Sequence, residues 1–196
     1  MTITNGYATL SDWKNHQDAT SVDYADDSVV EVLIEAASRL IDNETRRTFY
    51  ARTATNKYDV PDGNVLYIED DDLLTVTKLM NGDGTTLTTN DYILKPNNSS
   101  PKWAVQLKSS STVSWETDSD GNAEQAISIE GTWGWSATAP ADIKEACLQI
   151  ATNYYKRRFG ENAGTDSTIT VDGVVVTAKD IPASAKAVIA NYTRLV

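Results

Sequence analysis

The 196-residue chain has one histidine, one cysteine, two methionines and two phenylalanines. A single cysteine, Cys147, rules out a disulfide within the chain. It falls on the apolar side of a helical pattern, which reads as a small buried hydrophobe. The lone histidine, His16, stands in a polar stretch (Asn15, His16, Gln17), a poor setting for the base of a nucleophilic triad. No apolar run approaches the roughly 20 residues that span a bilayer. The first residues lack a basic region followed by an apolar core, so no signal peptide is expected. Phosphate-binding glycine loops, H-E-x-x-H and G-x-S-x-G are also missing. Cationic charge is scarce as well: 17 Lys and Arg against 28 Asp and Glu leave a net charge of −11. A chain that grips nucleic-acid backbone needs clustered Lys and Arg. Acidity of this kind favours solubility, or a surface past which DNA slides without being held. No catalytic constellation, metal site or cofactor site is expected.

Two long helices stand out. In the first, from Asp26 to Arg47, Val30, Leu33, Ile34, Ala37 and Ile41 form a stripe of 3.6-residue period. Val29, Val32, Ala36 and Leu40 widen it, so the helix should be buried on most of its circumference, against other helices or neighbouring subunits. Ser28 and Glu31 have the spacing of a capping box, and Arg46 and Arg47 complement the dipole at the other end. In the second helix Ile143, Ala146, Cys147, Ile150, Ala151 and Tyr154 make the stripe. Thr138 is its expected cap, Pro140 suits its first turn, and Gly160 its stop. A short helix is expected over Leu10–His16, capped by Ser11 or Thr9, with Tyr7, Leu10 and Trp13 on one face.

Between the long helices the periodicity changes. Short β runs lie near Asn56–Val60, Val65–Ile68, Val76–Met80, Tyr92–Leu94, Trp103–Leu107, Thr112–Trp115 and Ala126–Trp133, separated by turn signals at Pro61–Asn64 and Asn81–Gly84. This segment holds 13 acidic and 6 basic residues. Glu69–Asp72 reads as a solvated turn. Glu116–Gly121 partly imitates a calcium loop, but Ile127 stands where the bidentate Glu belongs, so a hairpin tip over Thr117–Glu124 is expected. Near the C-terminus, Thr168–Thr177 alternates around Asp172-Gly173, a type I′ hairpin signal. Such a hairpin is not stable alone and should pack on a neighbour. Ile181-Pro182 opens a last short helix with Ala185, Val188, Ile189 and Tyr192 on its apolar face. The fold class is thus α+β: a small helical bundle (1–50 and 138–196) with an inserted antiparallel β domain (51–137) and a C-terminal hairpin plus short helix.

Several blocks resemble the head–tail connector (adaptor, head-completion) proteins of tailed phages. Gly131, Trp133, Gly134 and Trp135, then Pro140, Asp142, Ile143 and Ala146, then Tyr154, Tyr155, Lys156, Arg157 and Arg158, are similar to that family's strand-to-helix junction. The run from Glu35 to Tyr50 resembles its first long helix, and Asp72–Leu79 its β segment. Asp180-Ile181-Pro182 with the helix after it resembles its C-terminal part. The resemblance implies a structural virion neck protein and not an enzyme. It implies a ring of about a dozen copies beneath the portal, head completion after DNA packaging, and DNA passing through the channel without specific binding. The implied partners are the portal protein, a downstream neck or tail protein and the chain itself, with no membrane. Val174 and Val176 of the hairpin and Tyr192, Arg194, Leu195 and Val196 of the tail are the expected partner contacts. The competing reading is an acidic β-domain module for a carbohydrate or calcium, with Trp103, Trp115, Trp133 and Trp135 as stacking platforms. A row of exposed tryptophans would favour it.

Overall fold

A computed structural model describes residues 3–17, 27–159, 167–169, 175–177 and 181–194, with only backbone pairing for 167–169 and 175–177. The chain divides into two compact units, one formed by the residues up to Arg46 together with those from Ala139, the other by Arg47–Thr138.

The helical unit contains α1 (Leu10–His16), α2 (Asp27–Thr45), α3 (Ala141–Phe159) and α4 (Ala183–Tyr192). α1 starts at a capping box in which Thr9 and Asp12 satisfy each other's backbone amides, as S/T-x-x-E/D spacing favours. It lies on α3, where Trp13 is fully buried and meets the Tyr155 ring at 5.0 Å. Gln17 donates to the Thr152 hydroxyl at 2.6 Å and Lys144 pairs with Asp12 at 2.7 Å. α2 buries Val30, Ile34, Ala37, Ser38, Ile41 and Thr45. α3 buries Ile143, Ala146, Cys147, Leu148, Ile150, Ala151 and Thr152. The polar members of these faces are satisfied locally. The Ser38 hydroxyl donates to the Ile34 carbonyl and accepts from the Tyr7 amide, and Thr45 donates to the Ile41 carbonyl. α4 adds Ala185 and Ile189 to the same core.

Two helix starts differ from expectation. Thr138 does not cap α3; the Pro140 carbonyl accepts the Lys144 amide at 2.9 Å, which places Pro140 itself at the cap position. Ser28 is the second residue of α2, so it cannot be the cap of a Ser28–Glu31 box. α2 stops at Thr45, short of Arg46 and Arg47, and Arg46 follows it in a left-handed conformation with φ 55°. Gly160, the expected stop of α3, lies outside the described residues.

The β unit has two antiparallel sheets. Strands β1 (Arg52–Tyr58), β3 (Leu73–Met80), β4 (Thr86–Leu87) and β7 (Ile127–Trp133) form one, in the order β1-β7-β3-β4. Strands β2 (Val65–Tyr67), β5 (Tyr92–Lys95) and β6 (Ala104–Leu107) form the other, in the order β2-β6-β5. β7 is central and alternates strictly: Ile127, Ile129, Gly131 and Trp133 face the core. That core also takes Leu66, Ile68, Leu73, Leu79, Val105, Leu107 and Trp115, so the two sheets share it. β1 begins at Arg52, four residues before its expected start, because its register runs to Trp133 at the far end of β7. Its inward positions, Arg52, Ala54, Asn56 and Tyr58, carry no apolar alternation to read. β4 is two residues long and gave no signal.

The expected strand over Thr112–Trp115 does not form; these residues pair in neither sheet. A side chain does the work of a ladder there. Asn81 donates to the Ser114 carbonyl at 2.8 Å and accepts the Glu116 amide at 3.0 Å, and this holds Trp115 in the core. The Asn81–Gly84 turn forms as expected, with Gly84 at φ +84°.

In the C-terminal part β8 (Ser167–Ile169) pairs with β9 (Val175–Thr177). The register sets Thr168 opposite Val176. The turn itself lies outside the described residues.

Candidate assembly surfaces

The strand end that follows β7 is a built corner. Trp133 is fully buried and donates its indole N–H to the Ala54 carbonyl at 2.9 Å. Gly134 has φ +133° and donates to the Asp72 carbonyl at 2.7 Å; a Cβ there would sit 2.3 Å from the Tyr50 carbonyl oxygen. Only glycine fits both the conformation and the space. Gly131 is required for the second reason, since its Cβ would meet the Thr75 oxygen at 2.1 Å. Trp135 donates its backbone N–H to Thr48 at 2.7 Å, and its ring packs on Phe49 at 6.5 Å. The Arg47 guanidinium lies 4.5 Å over that ring and bonds the Asp72 carboxylate at 2.5 Å. Arg47 therefore serves this corner and not the α2 dipole. The acidic run is likewise not a simple solvated turn. Glu69 and Asp70 are exposed, but Asp72 is buried against Arg47, and Asp71 accepts from Arg52 and from Asn56. Asp71 and Asp72 thus fasten the unit.

The groups with chemical potential are spent on structure. Burial pushes the Cys147 thiol up to about 11; its sulfur is 3.4 Å from the Ser38 hydroxyl. His16 stands 3.7 Å from the Glu145 carboxylate. Burial lifts Asp42 to about 6, against the Tyr7 hydroxyl that donates to it and the Arg39 guanidinium at 3.1 Å. In the imitation calcium loop, Asp118 accepts the amides of Asp120 and Asn122, at 2.9 and 2.8 Å, and these bonds hold its carboxyl below the usual range. Among the described residues no three His, Cys, Asp or Glu side chains gather to hold a metal ion. Among them, too, no helix is long and apolar enough to cross a membrane.

The surfaces are more informative. α2 carries a second apolar stripe on the side its own unit does not use: Val29, Leu33 and Leu40 are half-buried, while Ala36 and Val32 (43%) are exposed. The helices of its own unit thus cover one of the two stripes. Of the expected partner contacts, Tyr192 donates its hydroxyl to Asp142 at 2.8 Å, and the Arg194 amide donates to the Thr45 carbonyl at 2.9 Å. Both tie the end of α4 to the unit's own helices. Val176 is in β9, and Val174, Leu195 and Val196 lie outside the described residues. Of the four candidate platforms, Trp115 and Trp133 are core and Trp135 lies under Arg47; Trp103 alone is largely exposed (51%). It stacks on Tyr67 (56% exposed), with planes 3° apart and centroids 6.0 Å apart. Tyr67 was not singled out in the sequence, although the V-L-Y-I alternation places it opposite Leu66 and Ile68.

The sequence profile of the family described as "Head completion protein" matches residues 7–195. No curated protein matches by sequence. Among solved structures, the fold is similar to a chain in the neck of an empty GTA particle computed with C6 symmetry. That match has TM-score 0.63 and 16% identity and covers 100% of this chain and 94% of that one. A chain in the virion of a native gene transfer agent particle matches with the same values. A chain in the native GTA neck computed with C12 symmetry matches with TM-score 0.62 and 15% identity, over 100% of this chain and 93% of the other.

Proposed function

We propose a function from one premise: this chain belongs to the head completion protein family, whose members are structural proteins and not enzymes. Within a phage-like particle its place is the neck of the virion, assembled in the host cytoplasm. Copies join there into a ring of twelve beneath the portal, around the DNA channel, and link the portal protein to a downstream neck or tail protein. The helical segments 1–50 and 138–196 are the ring-forming core, and 51–137 is the inserted β domain.

The observation that carries this reading is the family match over nearly the whole chain. The similar necks computed with C6 and with C12 symmetry support a symmetric ring. The outer stripe of α2 supports self-association, because a face rich in Val, Leu and Ala is stabilised when a neighbour removes it from water. A ring needs heterologous contacts, in which two different patches of the chain meet. The net charge of −11 suits a channel that repels phosphates, so DNA passes without being bound. Val174 and Val176 of the hairpin, with Tyr192, Arg194, Leu195 and Val196, contact the portal or the next copy. Tyr192 and the Arg194 backbone tie the end of α4 to the unit's own helices.

The test is co-assembly. The protein is mixed with its portal and viewed by negative-stain microscopy, with and without residues 191–196. A ring seated on the portal that is lost with the tail supports the reading. A protein that stays single beside an intact portal, with or without its tail, contradicts it.

A further inference from the structure

The β unit leaves one aromatic patch uncovered. Tyr67 and Trp103, stacked on each other, are among the largest exposed apolar side chains. Tyr67 also borders a surface depression of about 450 Å3, whose charged lining is Asp59, Glu69 and Asp70 against the single cation Lys57. Asp70 is exposed. Aromatic faces beside carboxylates are chemistry for a guanidinium, which stacks on the ring while it pairs with the acid. The same unit already uses that arrangement where Arg47 lies over Trp135 and bonds Asp72.

The complementary patch is on the same chain. Lys156-Arg157-Arg158 is the one run of three cations in the sequence. It ends α3, with Lys156 and Arg158 exposed. Next to it Phe159 is 49% exposed, and the Arg158 guanidinium lies 5.3 Å over its ring. One patch is acidic and aromatic, the other basic and aromatic. Two unlike patches of opposite charge on one chain are what a head-to-tail contact between copies requires.

We propose that the Tyr67–Trp103 patch, with the Asp70 side of its depression, receives Arg158 and Phe159 from the α3 end of a neighbouring copy. The inference rests on the ring reading and names a contact within it. A glycan on the aromatic pair is the rival occupant.

The test uses the full chain under conditions in which it assembles on its portal. Cysteine replaces Asp70 and Arg158 together, with each single variant as control. Cys147 is buried and stays silent. The proposal predicts a ladder of oligomers rising to the full ring when Asp70→Cys/Arg158→Cys is treated with a short bis-maleimide, which spans the reach of an Arg–Asp pair as a direct disulfide does not, and no ladder for either single variant. It also predicts that Arg158→Glu loses assembly and that Asp70→Arg added to it restores it. Rings that form in the double-cysteine variant without cross-linking overturn the contact and leave the ring reading intact. Binding of a soluble oligosaccharide that quenches Trp103 fluorescence without affecting cross-linked rings would assign the patch to sugar instead. Absence of rings from the wild-type chain overturns both.

Discussion

Removing Arg47 should unfold the β unit far more easily than an arginine near a surface normally would. Its side chain is 17% exposed and that of Asp72 is 7%, and the two meet at 2.5 Å. Loss of one partner from a buried pair strands the other charge in a poorly solvated site, at a cost of about 3–5 kcal/mol. Loss of the cation over Trp135 adds ~1 kcal/mol. Arg47→Met should therefore cost about 4–6 kcal/mol, a large part of a domain's usual margin. Replacing both members, as Arg47→Met/Asp72→Leu, removes the stranded charge as well as the pair, and should cost less than the single change. Urea unfolding followed by tryptophan fluorescence reads this directly, because four of the five tryptophans belong to Arg47–Thr138. The two units need not unfold together, so the fluorescence transition is analysed for this unit alone. A cost below ~1 kcal/mol for Arg47→Met, the value of an exposed pair, or a double variant worse than the single one, would refute the reasoning.

Other outcomes follow from the same structure. Gly134→Ala should destabilise the β unit by about 2 kcal/mol or more, since it combines an unfavourable φ with a backbone clash; thermal denaturation checks it, and a neutral change would contradict the corner described above. Asp42 is lifted to about 6 from 3.8 in the folded chain. Its contribution is therefore full below about pH 4 and is lost as pH rises towards 6, so Asp42→Asn should lack that decline; denaturation at pH 4 and pH 7 of both proteins measures the difference. Cys147 should resist a thiol reagent at pH 8 until the helical unit opens, because burial raises its pKa to about 11; rapid labelling of the native protein would contradict its placement. Val32→Glu should change the chain's own stability by less than ~0.5 kcal/mol, as an exposed substitution does, while abolishing assembly.

Much of the fold was legible where burial has a period. The stripes of α2 and α3 and the alternation of β7 follow directly from residue spacing, while the α1 cap was narrowed only to Ser11 or Thr9. What escaped detection is held by single long-range bonds. Nothing local announces that Asn81 will bind the backbone at 114–116, or that β1, with Arg52, Asn56 and Tyr58 at its inward positions, completes the sheet. The Trp133-Gly134-Trp135 end was visible as a motif, but its reason was not. Arg47 and Asp72 come from distant segments and meet only on folding. The candidate assembly surfaces were half legible. Val32 and Ala36 were noticed as excess apolar positions on α2, yet only the structure separates the stripe its own unit buries from the one it leaves outside. Tyr67 had no distinguishing pattern beyond its outward position in a three-residue strand.

The most direct measurement of the central claim is the mass and symmetry of the protein bound to its portal, by native mass spectrometry and averaged electron micrographs. The account predicts a closed ring of twelve copies with a central channel for the wild-type chain and no ring for Val32→Glu. A closed two-fold dimer, or a single copy attached to the portal with no ring, would contradict it.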